Sequence, residues 1–493
     1  MNYRLIGKYM GYILLVEGIF LLPAIAVAAA YREPASERAI VIAVIITMIP
    51  GILLSCIRSH RSISMSEGFV VCALGWIVLS LFGALPFYIS GEIPRYIDCW
   101  FETVSGFTTT GSSILTSVEG MPHGLLYWRS FTHWIGGMGV LVFLLAVLPL
   151  AKGDGEPFNL MKAESPGPSV GKLVPKISAT AKITYIIYLA MTVLMIVVLL
   201  FEGMPLFDAV LNTFGTAGTG GFSIKNNSIA AYPSQVVQMT IAIFMALFGV
   251  NFSVYYLILT RKWKDVLHNE EFRWYWMIML GASLLIAVNV CRGFYPGDFG
   301  QAFRDSFFSV SSVMTTTGYC TADFDKWPEF SRYLLLCVMC IGASAGSTGG
   351  GMKVSRVLLL GKHLKTQMCQ MIHPRRVRSV RMDRRRVDNS VMFGTTAFLA
   401  AYLCILIVSL LLVSLDGKSF ETTFSAVICT FNNIGPGLGM VGPTGNFSAF
   451  SDFSKFVLSV DMLFGRLEIF PILFLLSPEV WARKRIRTRV VSD

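Results

Sequence analysis

The chain has 493 residues, of which 54% are hydrophobic and only 14% charged, with a formal net charge of +11. Soluble globular domains carry about 25% charged residues, so this composition describes an integral membrane protein and excludes a soluble enzyme. The positive excess does not call for a nucleic-acid partner, because its Lys/Arg clusters lie immediately beside long apolar runs, where topology or anionic lipid headgroups account for it.

The apolar runs predict an all-α fold with about ten spans, since a helix needs about 20 residues to cross the hydrocarbon core. They cover Tyr12–Ala30, Ala39–Cys56, Phe69–Ile89, Tyr127–Leu150, Ile183–Phe201, Val236–Leu259, Trp274–Val290, Tyr333–Leu360, Val391–Leu415 and Phe456–Leu476. Arg4 and Lys8 precede the first run, and Ala26-Val27-Ala28 resembles a signal-peptidase site. The run is long for a signal peptide and a second apolar run follows at once, so it reads as a retained helix.

Between paired spans lie amphipathic segments too short to cross: Asp98–Phe107, Leu206–Gly215, Gln301–Met314 and Lys418–Phe431. Each leads into a small-residue strip containing glycine. The strips are Thr108-Thr109-Thr110-Gly111-Ser112, Thr216-Ala217-Gly218-Thr219-Gly220-Gly221, Thr315-Thr316-Thr317-Gly318-Tyr319 and Asn432-Asn433-Ile434-Gly435-Pro436. Asp98, Asp208 and Asp305 precede Gly111, Gly221 and Gly318 by the same interval. Irregular backbone at membrane depth is tolerated only where it is buried in protein or lines a water-filled path. Four strips between spans therefore imply a fourfold ring of extended backbone, whose carbonyl oxygens can replace a cation's hydration shell. Interfacial helices would explain the acidic helix starts but not the strips that follow them.

The eighth run contains Gly342-Ala343-Ser344-Ala345-Gly346-Ser347-Thr348-Gly349-Gly350-Gly351. Each glycine costs a helix about 1 kcal/mol, and packing motifs space their small residues, so this run is expected to break. Arg466 stands inside the last run, where a charge is costly and usually functional. Asp461 and Glu468 share one helix face and Arg466 points away from both, so pairing within that helix is poor.

Positive residues cluster at Arg58 and Arg61, at Lys152, Lys162, Lys172 and Lys176, and at Arg261, Lys262 and Lys264. Further clusters are Lys362, Lys365, Arg375, Arg376, Arg378, Arg381, Arg384, Arg385 and Arg386, and Arg483, Lys484, Arg485, Arg487 and Arg489. They fall on alternate sides of successive spans. The positive-inside rule makes that side cytoplasmic, with both termini inside and the short segments entering from outside. The ten cysteines lack CxxC spacing and read as small packing residues, and His123 and His133 lack a local carboxylate or thiol cluster. No nucleotide-phosphate loop, zinc signature or nucleophile triad is present, so no enzyme activity and no organic cofactor are expected.

The strips, together with Trp134-Ile135-Gly136-Gly137-Met138-Gly139 and Gly346–Gly351, resemble the TrkH/TrkG/KtrB superfamily of potassium transporters over essentially the whole chain. The segment Glu164-Ser165-Pro166-Gly167-Pro168, with Lys176-Ile177 and Thr180-Ala181-Lys182, and the two extra N-terminal spans resemble TrkH more than KtrB. The resemblance implies four pseudo-symmetric helix–loop–helix repeats, a homodimer, and a TrkA-like cytosolic nucleotide-binding ring as partner. It divides the chain into 1–62 as an N-terminal pair of helices, then repeats over 63–178, 179–266, 267–386 and 387–493. Transported K⁺ would meet the backbone at Thr109, Thr110 and Gly111, at Thr316, Thr317 and Gly318, and at Asn433, Ile434 and Gly435. In the second repeat the candidates are Gly218, Thr219 and Gly220, with Gly221 adjacent; counting from Asp208 selects Gly221, whereas the Gly-Gly-Phe motif equally admits Gly220. The resemblance also implies an inner-membrane location and a gate built from Gly346, Ser347, Thr348, Gly349, Gly350 and Gly351, with Arg466 projecting against it. A Na⁺-permeable or Na⁺/H⁺-coupled transporter is the alternative. Gly111 speaks against it, because serine at that position would have suggested Na⁺.

Overall fold

The computed structural model describes residues 1–58, 63–139, 177–375 and 379–481. The rest of the fourth run beyond Gly139, the Glu164–Pro168 segment, Lys152–Lys176, Arg376, Arg378 and the C-terminal basic cluster lie outside these residues.

The chain is helical almost throughout, with one two-stranded ribbon among the described residues, Arg381–Met382 against Arg385–Arg386. Asp383 and Arg384 carry φ of 50° and 65°, as the two central residues of a tight hairpin turn require. Six described helices are long and apolar enough to cross a membrane, or seven if one bent pair counts as a single span. The chain is therefore an all-α, multi-pass membrane protein.

The first two helices, Tyr3–Ala30 and Pro34–Ser55, pack along each other. Close approach is possible because Gly11 meets the backbone of Gly51 and Ser55 at distances a Cβ would not permit. The turn between them is fastened to the next unit by Glu33. Its carboxylate accepts from the backbone N–H groups of His123 (2.8 Å) and Gly124 (3.1 Å) and contacts His123 Nδ1 at 2.8 Å. The histidine that has no local carboxylate in the sequence thus obtains one from a distant turn. Burial works against the charged form of Glu33, but the hydrogen bonds from the His123 backbone and ring and from Gly124 outweigh it and hold the carboxyl below its usual range.

The four short segments fold as buried helices: Tyr96–Phe107, Leu206–Ala217, Phe299–Met314 and Phe420–Phe431. The third begins earlier than its sequence suggests, because Asp298 caps it by accepting from the Gln301 N–H (2.8 Å); Asp305 lies further inside the helix.

The apolar runs that follow the strips are broken, including two expected to be continuous. Val236–Leu259 is two helices, Gln235–Phe248 and Phe252–Leu259, bent by 92°. Asn251 causes the turn by capping the second piece, its side chain accepting from the Ser253 N–H at 2.9 Å. Phe456–Leu476 lies in Asp452–Arg466 and Phe470–Leu476, separated where Glu468 and Ile469 adopt φ of 53° and 70°. Tyr333–Leu360 breaks as expected, into parts of Glu329–Ile341 and Val354–Ile372. The helix His123–Gly137 likewise ends at a glycine pair.

Cys72, Cys99, Cys320 and Cys429 are buried as packing residues, whereas Cys56, Cys337 and Cys404 face outward. Outward placement costs nothing where the surroundings are as apolar as the thiol.

Candidate cation-coordinating site

Each short helix ends directly at its strip, and all four ends have the same geometry. Thr109, Thr219, Thr316 and Asn433 adopt left-handed φ of 56°, 55°, 60° and 57°. The next residue turns its N–H back into the helix: Thr110 to Ser105 O (2.9 Å), Gly220 to Gly215 O (2.8 Å), Thr317 to Ser312 O (2.8 Å) and Ile434 to Cys429 O (2.9 Å). This is the Schellman type of helix ending. It draws the strip's N–H groups into the helix without using the carbonyls of Thr110, Gly220, Thr317 and Ile434. Left-handed φ is unusual for a β-branched residue, and such backbone strain concentrates at functional sites.

Two residues later comes the glycine of each strip, Gly111, Gly221, Gly318 and Gly435, with φ of 81°, 75°, 87° and 93°. The match of Thr219 and Gly221 to Thr109 and Gly111 gives the second strip its register: Gly221 is equivalent to Gly111, and Gly220 to Thr110. These glycines close a ring. A Cβ on Gly111 would strike the Gly220 carbonyl oxygen, one on Gly221 that of Thr317, one on Gly318 that of Ile434, and one on Gly435 would lie 2.8 Å from that of Thr110. Each strip's glycine thus touches the carbonyl of the following strip, and the fourth returns to the first. Four equivalent carbonyls therefore meet around one axis, and the C-terminal ends of four helices adjoin it. Helix C-termini carry partial negative charge, so carbonyl dipoles and helix ends together favour a cation and disfavour an anion. Among the described residues no group of His, Cys, Asp and Glu is arranged to hold a metal.

The strips are braced from behind. Thr108 and Thr110 hydroxyls hydrogen-bond at 2.8 Å, as do those of Thr315 and Thr317. In the fourth strip Asn432 pairs with the Tyr402 hydroxyl (2.9 Å), and Asn433 Nδ2 donates to Thr110 Oγ1 and Met462 O, both 2.9 Å.

The Gly-rich break lies against the same ring. Gly350 N–H donates to Thr316 Oγ1 (2.7 Å), and Gly349 and Gly350 approach Thr315 O and Asn432 O too closely for side chains. Gly351 turns the chain back beside Gly342, Gly346 is its exposed tip, and Ser347 Oγ donates to Ser344 O (2.6 Å). Arg466 joins this loop to the first strip and to the end of the helix His123–Gly137. Its guanidinium donates to Thr348 O (2.9 Å), to Gly137 O (2.8 Å), to Gly136 O, and to Thr109 Oγ1 at 3.4 Å. Asp461 accepts from Ser409 (2.6 Å), and Glu468 pairs with Arg356.

Glu271, Lys353 and the bend at Gly249–Asn251 also hold the loop and carry no sequence signature. Glu271 accepts from the Ala345 N–H (2.7 Å), Lys353 donates to Gly349 O, and the bend at Gly249–Asn251 pairs with the loop through Ser344 N–H to Gly249 O (3.1 Å) and Phe252 N–H to Gly346 O (3.0 Å). The buried state of Lys353 and its φ of 77° leave no mark in the sequence.

The family described as TrkH, cation transport protein, matches residues 36–482. The chain belongs to the TrkH family. It is 36% identical to the Trk system potassium uptake protein TrkH of Salmonella typhimurium, over 98% of this chain and 100% of that protein. It is 32% identical to the Trk system potassium uptake protein TrkG of Escherichia coli, over 97% and 98% of the two chains. The crystal structure of the potassium transporter TrkH from Vibrio parahaemolyticus superposes with a TM-score of 0.86 at 32% identity, covering 98% of this chain and 100% of that one. These relatives are transporters, and the chain is a membrane transport protein, not an enzyme.

Proposed function

We propose that this TrkH-family chain carries K⁺ into the cell through a central pathway whose narrowest part is the carbonyl ring of the four strips. The observation that carries the reading is the cyclic contact of Gly111, Gly221, Gly318 and Gly435 with the carbonyls of Gly220, Thr317, Ile434 and Thr110. A ring of carbonyl dipoles suits a weakly hydrated monovalent cation, and the relatives' names as potassium uptake proteins support K⁺ over Na⁺. In this reading ten transmembrane helices form an N-terminal pair and four pseudo-symmetric repeats, divided at 62, 178, 266 and 386. Both termini lie on the cytoplasmic side of the inner membrane, where the Lys/Arg clusters gather.

Gly346–Gly351 acts as the gate. It lies under the third and fourth strips, and Arg466 holds it closed through Thr348 O. A TrkA-like nucleotide-binding ring would dock on the basic hairpin Arg381–Arg386 of a homodimer and shift the gate between two populated states. Two tests apply. The chain should restore growth on low K⁺ to cells lacking their own uptake systems. In proteoliposomes, uptake of radioactive Rb⁺ with and without a pH gradient separates passive flux from proton-coupled symport. Failure to rescue by a well-expressed protein would reject the K⁺ reading.

A further inference from the structure

The second strip departs from its counterparts. Where the first and third have threonines directly before and directly after the left-handed residue, at Thr108, Thr110, Thr315 and Thr317, the second has Gly218 and Gly220. The hydroxyl pairs that brace the first and third strips therefore cannot form there. The space those side chains would need is filled by His133 of the helix His123–Gly137. A Cβ on Gly218 would strike the His133 carbonyl, and one on Gly220 would strike its imidazole ring.

The ring is fully buried and bonded at both nitrogens. Phe222, directly after Gly221, donates its N–H to His133 Nε2 at 3.2 Å. A backbone N–H can only donate, so Nε2 is the acceptor and the proton sits on Nδ1, which donates to Gly106 O at 2.8 Å. Imidazole thus connects the end of the first short helix to the residue following the second strip's glycine. One turn away, Arg129 reinforces the same join. It donates to Glu102 (2.7 Å) and to Ser223 O (3.0 Å), while Glu102 accepts from the Ile114 N–H (3.0 Å) just past the first strip.

We propose that His133 is a selectivity-determining positioning residue: it takes the place of the missing threonine brace and sets where the second strip's carbonyls stand relative to the first. This rests on the reading of the strips as a K⁺-selective ring. The idea accounts for why the second strip is Gly-Thr-Gly-Gly: a histidine brace and side chains at 218 and 220 exclude each other.

The test is the Rb⁺ over Na⁺ uptake ratio of full-length protein in proteoliposomes, per folded protein. His133→Leu should lower the ratio about fivefold, the worth of one buried hydrogen bond, while His133→Gln, which keeps an acceptor for Phe222, should recover most of it. A folded His133→Leu with the native ratio would overturn the proposal. Should His133→Leu not accumulate, the steric coupling decides. Gly220→Ala should be damaging alone and far better tolerated beside His133→Ala; equal damage in both backgrounds would overturn it. A native protein without Rb⁺ preference would instead reject the selective ring itself, before any variant is considered.

Discussion

Replacing Arg466 by Ala removes the guanidinium that joins Thr348 O of the loop to the Gly136 and Gly137 carbonyls. Of these bonds, the 2.9 Å bond to Thr348 is the one that distinguishes a seated loop from a released one. A hydrogen bond to a charged group is worth about 1.5–3 kcal/mol, and about 1.4 kcal/mol is a factor of ten in an equilibrium. The released population should therefore rise at least tenfold, with selectivity little changed because the guanidinium donates to none of the ring carbonyls and its contact with Thr109 Oγ1 is long, at 3.4 Å. The assay is Rb⁺ uptake into proteoliposomes per folded protein, alongside a variant lacking Gly346–Gly351. Both should raise basal flux and blunt control by the partner. If Arg466 were a structural ion-pair residue, its loss would mainly reduce folded protein. Unchanged or lower flux in both variants with normal folding would refute the gate.

Gly111→Ser should weaken the preference for K⁺, because any Cβ there drives against the Gly220 carbonyl; an unchanged K⁺ to Na⁺ permeability ratio would count against the ring. Glu271→Gln removes the carboxylate that accepts from Ala345 and should raise basal flux severalfold, read in the same uptake assay. Neutralising Arg384, Arg385 and Arg386 should weaken co-purification with a TrkA-like ring, and survival of both binding and nucleotide response would reduce the hairpin to a topological anchor. The lowered folded-state value of Glu33 stabilises the protein fully above the unfolded carboxyl value of about 4.3, and this contribution is lost as pH falls through the lower folded value. The native protein should lose more thermal stability than Glu33→Gln as pH drops below about 4.

The strips were legible because Thr and Gly recur at one spacing from an acidic residue, and because short amphipathic segments separate much longer apolar runs. The register of the second strip was not: Gly220 and Gly221 are identical in composition, and only the left-handed backbone at Thr219 and Gly221 tells them apart. The break at Gly349–Gly351 could be read from consecutive glycines. That at Gly249–Asn251 could not, since it interrupts a continuous apolar run with one small cap, whereas that at Glu468–Ile469 is marked in the sequence by Pro471, which stands in the first turn of the following helix. Arg466 announced itself as a charge in an apolar run. Its partners did not, because backbone carbonyls from two distant segments leave no mark in sequence. The same holds for His133 and Glu271, whose partners are N–H and carbonyl groups far along the chain.

The ring of four carbonyls is tested most directly by competition. Uptake of radioactive Rb⁺ by the native protein in proteoliposomes should be displaced by external K⁺ and far less by Na⁺ or Li⁺. Changing Gly111 and Gly318 together to Asp should abolish uptake in folded protein. Equal displacement by K⁺ and Na⁺, or full uptake by the double variant, would contradict the account.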